Sequence, residues 1–115
     1  MTLIRIATVC LSLAFASSAL AGATGNVARG KAKATACAAC HGADGNKTLD
    51  ATYPRLAGQY PDYLSKALHE YKNGKRKNAI MAGQAQALSD QDIADLSAYF
   101  GSLDSHIHDL SGHAR

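Results

Sequence analysis

Two thiols two residues apart, followed at once by a histidine, fix more about this chain than any other stretch: Cys37-Ala38-Ala39-Cys40-His41. That spacing is the one at which a haem is stitched to protein. Each sulfur adds across one vinyl group, and the Ala38-Ala39 spacer sets the two sulfurs about one helical turn apart. The adjacent imidazole of His41 is then held under the iron as an axial ligand. A fold built on this motif must wrap a large apolar plate, whatever else it does.

The motif carries weight because the chain reads as exported. After Arg5 the first sixteen residues are apolar or small, and Ser17-Ser18-Ala19-Leu20-Ala21 has the small-x-small pattern of a signal-peptidase site. Residues 1–21 read as a cleaved secretory signal peptide, with Ala23 as a second possible cut. The apolar run is shorter than the ~20 residues that span a bilayer, so no stable membrane anchor is expected. Cys10 lies in that run without the context of a lipidation site. Removing the peptide leaves Cys37 and Cys40 as the sole cysteines and Met81 as the sole methionine. The reading places the protein, soluble, in the periplasm.

About 94 residues remain, enough for one small domain over 22–103 and a histidine-bearing tail over 104–115. Twelve Val, Ile and Leu side chains supply its aliphatic core. A domain so small is marginal unless something adds burial or cross-linking. A covalent haem adds both, so the haem-free chain is expected to be largely unstructured. The charge is near balance, with 12 basic and 9 acidic residues in the full chain. The basic excess is too slight to suggest nucleic-acid binding.

Residues 26–37 predict a first helix, with Asn26 as N-cap and an Ala/Lys-rich body. Gly30 inside it is either a tolerated weak point or a place where another helix crosses closely, and the second reading is favoured. Residues 42–58 read as loop. Residues 61–73 predict a second helix, with Pro61 at its first position and Gly74 just past its end. Tyr60, Leu64, Ala67, Leu68 and Tyr71 fall on one stripe of it, and His69 lies off that stripe. Residues 79–83 read as a second loop. Ser89-Asp90-Gln91-Asp92 predicts a capping box opening a helix to about residue 102, with Ile93, Leu96, Phe100 and Leu103 as its apolar face and Tyr99 beside it. With no strand signal and no repeat, the class is all-α.

The function turns on the iron's other side. A closed site passes electrons, whereas an open one binds gases or peroxide. Met81 is favoured as the second axial ligand, because a glycine-flanked loop can bend over a haem face. His69 and the tail histidines His106, His108 and His113 are the alternatives. A metal site built from the tail alone lacks ligands and geometry. A thioredoxin-like redox site would need a preceding strand, and a structural zinc site a second ligand pair.

The stretches GKAKATACAACHGADG (30–45), YPRLAGQYPDYLSKALHEYKNGKRKN (53–78) and IMAGQAQALSDQDIADLSAYF (80–100) resemble class I c-type cytochromes. The similarity is to the single-haem c553 type and to the halves of dihaem cytochrome c4, and it covers nearly all of the chain after residue 21. The resemblance implies the small class I fold, with first and last helices crossing where Gly30 meets Tyr99. It implies one haem c on Cys37 and Cys40, iron held by His41 and Met81, and the Pro54 carbonyl accepting a hydrogen bond from His41. With one CxxCH the chain accounts for one haem. The expected function is one-electron transfer in a respiratory or other redox chain rather than catalysis, with Fe(II)/Fe(III) cycling, by a monomer. Its partners would be redox proteins such as a bc1-type complex, an oxidase or a dehydrogenase. Lys72, Lys75, Arg76 and Lys77 are either a steering patch for an acidic partner or an ordinary solvated stretch. The alternatives are a haem enzyme or gas binder of peroxidase type, with Met81 labile, and a cytochrome subunit of a larger oxidoreductase.

Overall fold

The computed structural model describes residues 22–105 and residue 107. The signal-peptide reading of 1–21 and the tail residues His106, His108 and His113 lie outside the described residues. Five helices follow in order: α1 Val27–Lys33, α2 Thr35–His41, α3 Pro61–Lys72, α4 Ala79–Gln86 and α5 Asp90–Gly101. No strand occurs among the described residues, so the chain is all-α as expected.

The single helix expected over 26–37 is in fact two. Asn26 caps α1 as anticipated, its side chain accepting the Arg29 N–H at 2.9 Å. At Ala34 the backbone turns with ψ of −6°, and its N–H is shared between the carbonyls of Gly30 and Lys31. Neither Gly nor Pro marks this break, which is why the alanine-rich sequence reads through it. The second segment, α2, carries the whole Cys37–His41 motif on helix and ends at Gly42, whose φ of +83° suits glycine.

The first and last helices cross in near-contact. A Cβ built on Gly30 would lie 2.0 Å from the Asp95 carbonyl oxygen and 2.7 Å from the Tyr99 Cβ, so only a bare backbone fits there. The close-approach reading of Gly30 is correct. Beside it the buried Asp95 carboxylate ties the two helices and the segment before them. It accepts from the Asn26 N–H at 2.7 Å, from Arg29 Nε and Nη2 at 2.7 and 2.9 Å, and from Gln91 Nε2 at 2.9 Å. These donors hold Asp95 down to a pKa of about 2, with the Arg29 bond the largest influence.

On the other side α5 packs against α3. Leu64, Leu96, Tyr99, Phe100 and Ala34 form the core, with Leu56, Leu88, Leu103 and Cys37 against it. The capping box of α5 is present: Ser89 Oγ accepts from the Asp92 N–H at 3.1 Å, and Asp92 Oδ2 accepts from the Ser89 N–H at 2.9 Å. Helix α3 begins at Pro61 and closes at Asn73 and Gly74 as its sequence predicts. Tyr60 departs from the predicted stripe: it is the N-cap residue and 65% exposed.

The largest departure concerns 79–83, expected as loop. This segment opens α4 instead, capped by Asn78, whose side chain accepts the Met81 N–H at 3.0 Å. Two contacts clasp the far end of α4 to the end of α3: Gln86 Nε2 to the Lys72 carbonyl, and Lys72 Nζ to the Leu88 carbonyl.

Candidate functional site

Helices α2, α3, α4 and α5 and the loop after α2 enclose a cavity of about 450 Å³. Its lining is mostly apolar, with Leu56, Leu64, Leu68, Leu88, Leu96 and Phe100 among the walls, and it falls in the size range of small-molecule and cofactor sites. Cys37, Cys40 and His41 reach it from α2, and Met81 reaches it from α4. Side chains forty residues apart thus share one chamber. His69 is not among the lining residues; its Nδ1 lies 2.8 Å from the Ser65 carbonyl, and its Nε2 lies 3.4 Å from Asp90.

The loop over 42–58 determines what His41 can do. Gly45 accepts from the Leu56 and Ala57 N–H groups, which pins the two ends of the loop to each other, and Gly58 donates to the Phe100 carbonyl, which ties the far end to α5. Pro54 is thereby set with its carbonyl 2.8 Å from His41 Nδ1. A carbonyl oxygen can only accept, so Nδ1 carries a proton, and in the neutral ring Nε2 is the nitrogen left with a lone pair for a metal. His41 is 6% exposed, and the Tyr53 ring stands edge-on to it at 6.1 Å. Burial pushes the Cys37 thiol up, keeping it protonated as a thiol. The Tyr53 phenol is also raised, first by the charge of the Cys40 sulfur when ionised and then by their hydrogen bond.

Sequence reasoning passed over Arg55 and Ser97 and read Arg76 as part of a surface basic stretch, yet all three line the cavity. Arg55 and Arg76 bring two positive charges to the mostly apolar lining. Arg76 stacks on the Tyr71 ring at 5.2 Å and bonds the Tyr63 hydroxyl at 3.3 Å, which raises its already high pKa. Ser97 is the third. Spacing marks none of them, because each arrives from an element whose packing is set by tertiary contact.

The residues present fit haem c. Two thiols stand on one helix at the required spacing, one imidazole has its outer nitrogen engaged, one thioether comes from a different element, and apolar walls surround them. The cations of Arg55 and Arg76 suit a group that carries carboxylates. A bare metal site is a poorer match: among the described residues no three His, Cys, Asp or Glu side chains are grouped to hold an ion.

Fold and cavity together define a small α-helical domain built around a covalent porphyrin. Comparison with known proteins specifies it further. The cytochrome c family model matches residues 27–104, and the chain belongs to that family, whose cofactor is covalently bound haem c. It is 50% identical over 94 residues to a cytochrome c4 of Pseudomonas aeruginosa, a match spanning 82% of this chain and 46% of the relative. It is 46% identical over 81 residues to cytochrome c-554(548) of Halomonas halodenitrificans, spanning 68% of this chain and 96% of the relative. The crystal structure of reduced recombinant cytochrome c4 from Pseudomonas stutzeri superposes with a TM-score of 0.66 at 40% identity, covering 70% of this chain and 47% of that one. The chain therefore spans about half the length of the cytochrome c4 relatives it matches and nearly the whole of the shorter one. The fold is the small class I cytochrome fold that the sequence resemblance implies.

Proposed function

We propose that this chain is a periplasmic one-electron carrier with a single haem c, which Cys37 and Cys40 would hold covalently and whose iron His41 and Met81 would ligate. The observation that carries the reading is the convergence of these four side chains on one apolar cavity, with His41 Nδ1 already committed to Pro54. Haem c bound there supplies a one-electron Fe(II)/Fe(III) couple. The protein's part is to hold both ligands fixed through that change. The Pro54 carbonyl fixes the ring plane and tautomer of His41 and raises its basicity. The Asn78 cap and the Lys72–Leu88 and Gln86–Lys72 contacts fix the helix that presents Met81. The apolar walls exclude water and keep the charge of the oxidised state from being solvated, which favours reduction. Among the described residues no Asp or Glu, and no histidine besides His41, lines the cavity, which supports a carrier rather than an enzyme. No helix among the described residues is long and apolar enough to cross a membrane.

The partner would be a redox protein with an acidic face. Lys72 and Arg76 already have internal partners, which leaves Lys75 and Lys77, both exposed, as the charges of the basic stretch turned to solvent. Neutralising Lys75 and Lys77 should flatten the salt dependence of electron transfer to such a partner; an unchanged slope would remove the steering role.

The closed-site reading is tested by carbon monoxide. The reduced protein should leave the gas unbound, while Met81→Ala should bind it readily and lose the long-wavelength band that methionine-ligated ferric haem shows in this family. Ready binding by the unaltered protein would point to a labile Met81 and to gas or peroxide chemistry.

A further inference from the structure

One polar group in the cavity wall has no part in the scheme above. Ser97, in the middle of α5, is 2% exposed, and its hydroxyl is the one buried side-chain nitrogen or oxygen among the described residues with no hydrogen-bond partner. Serine inside a helix ordinarily returns its hydroxyl to the carbonyl four residues back, and this one does not. An orphaned hydroxyl within a protein interior is destabilising, so its presence asks for a reason. Ser97 borders the 450 Å³ cavity beside Leu96 and Phe100. It also borders a second cavity, of about 210 Å³, between the segment before α1, the start of α3 and α5, with Asp62 and Ser65 in its lining. That space has room for water behind the hydroxyl.

Resting on the carrier reading, we infer that Ser97 is a redox-tuning residue: its unpaired hydroxyl is a rotatable dipole in the cavity wall that favours the oxidised state. The reason is the response of a free dipole to charge. Loss of one electron to the partner, or to an electrode, leaves the cavity with one more positive charge. A hydroxyl bonded to no fixed group can turn its oxygen toward that charge, and on the apolar side of the wall the gain is screened less than at the protein surface. In the reduced state no such bias exists, and the hydroxyl is free to turn back toward the second cavity. Stabilising the oxidised form more than the reduced one lowers the midpoint potential. Ser97 thus opposes the apolar walls, and the potential is set by the balance between them.

The test is spectroelectrochemical titration of the holoprotein and of Ser97→Ala, Ser97→Val and Ser97→Thr. Alanine and valine remove the hydroxyl; threonine keeps it at nearly the bulk of valine. Ser97→Ala and Ser97→Val should raise the midpoint so that the reduced-to-oxidised ratio, read at the wild-type midpoint, rises about threefold. That is about 28 mV, at roughly 59 mV per tenfold for a one-electron couple. Ser97→Thr should stay close to wild type. Thermal unfolding of the same proteins separates packing from tuning, since a purely structural serine moves the melting temperature and leaves the potential alone. An unchanged midpoint in Ser97→Ala, which only removes an atom and so will fold, overturns the inference. So does a Ser97→Thr shift equal to that of Ser97→Val. A chain exported with the maturation machinery that carries no covalent haem overturns the carrier reading itself, whereas a normal couple indifferent to the hydroxyl overturns this inference alone.

Discussion

Gly30→Ala is the substitution whose sign separates local propensity from tertiary packing. In an isolated helix the change is favourable by about 1 kcal/mol. Here the added Cβ would lie 2.0 Å from the Asp95 carbonyl oxygen and 2.7 Å from the Tyr99 Cβ. The nearer atom is backbone, so no rotamer change relieves the clash, and α1 and α5 must separate by more than an ångström. Overpacking of this kind costs about 1–3 kcal/mol, and a backbone-to-backbone clash belongs at the upper end. Setting ~3 kcal/mol of strain against ~1 kcal/mol of propensity leaves a net loss of about 2 kcal/mol. For a domain of this size that lowers the melting temperature by about 8–16 °C. Gly83→Ala is the internal control: Gly83 is an exposed helical glycine in α4 with nothing within 4 Å of its added Cβ. Propensity acts there unopposed, and the melting temperature should rise by a few degrees, up to about 8 °C. Thermal unfolding of the two holoproteins, followed by circular dichroism, decides the matter. If Gly30→Ala melts higher than wild type, as Gly83→Ala should, the helix crossing is not the constraint described above.

Three further outcomes follow from the same contacts. Asp95 and Asp92 are each held at about 2, by Arg29 and by Lys33 first among their partners, whereas an unfolded carboxylate titrates near ~4. Their stabilisation is therefore fully present above about pH 4 and lost as pH falls toward 2. Melting temperatures across that window should fall less steeply in Asp95→Asn than in wild type, and parallel curves would exclude Asp95 from acid unfolding. Asn78→Ala removes the cap on the Met81 N–H and should cost about 1 kcal/mol, with carbon monoxide binding to the reduced protein becoming measurable before the fold is lost. The haem-free chain, with a 450 Å³ cavity to close and few core residues, should show little helix and no cooperative melting by far-UV circular dichroism. A sharp transition in that chain would show that the helices stand without their cofactor.

The parts of the fold that sequence made legible are those fixed by local chemistry. The Ser89–Asp92 box opens α5 where its side chains require, and Pro61 and Gly74 bracket α3 for the same reason. The cofactor motif is a matter of covalent spacing and needs no tertiary information. Gly30 is a partial case: its cost within a helix signals a close approach, but the partner atom, the Asp95 carbonyl, could not be read from any local pattern. Arg55, Arg76 and Ser97 lie beyond that limit, because a side chain reaches a cavity wall through the packing of its element and no spacing rule records it.

Met81 shows where local reasoning about an element misleads: the segment expected as loop is helix, and its thioether still lines the cavity. Residues 79–86 lack a hydrophobic stripe, and the absence of a stripe reads as loop when a helix is assumed to need an apolar face against a core. Helix α4 has another source of stability. It is capped at Asn78, it is rich in alanine, and it is clasped at its far end by Lys72 and Gln86. The wall it presents is the cavity, so Ile80, 59% exposed, and Met81, half-buried, face a space that the protein alone does not fill. A stripe is therefore missing because α4 turns part of its surface to this space and part to α3, so its apolar residues do not gather on one face. The consequence is functional. A thioether on a loop would be free to swing away, whereas one in a capped helical turn moves only if the turn unwinds, which suits Met81 to the ligand role proposed for it above.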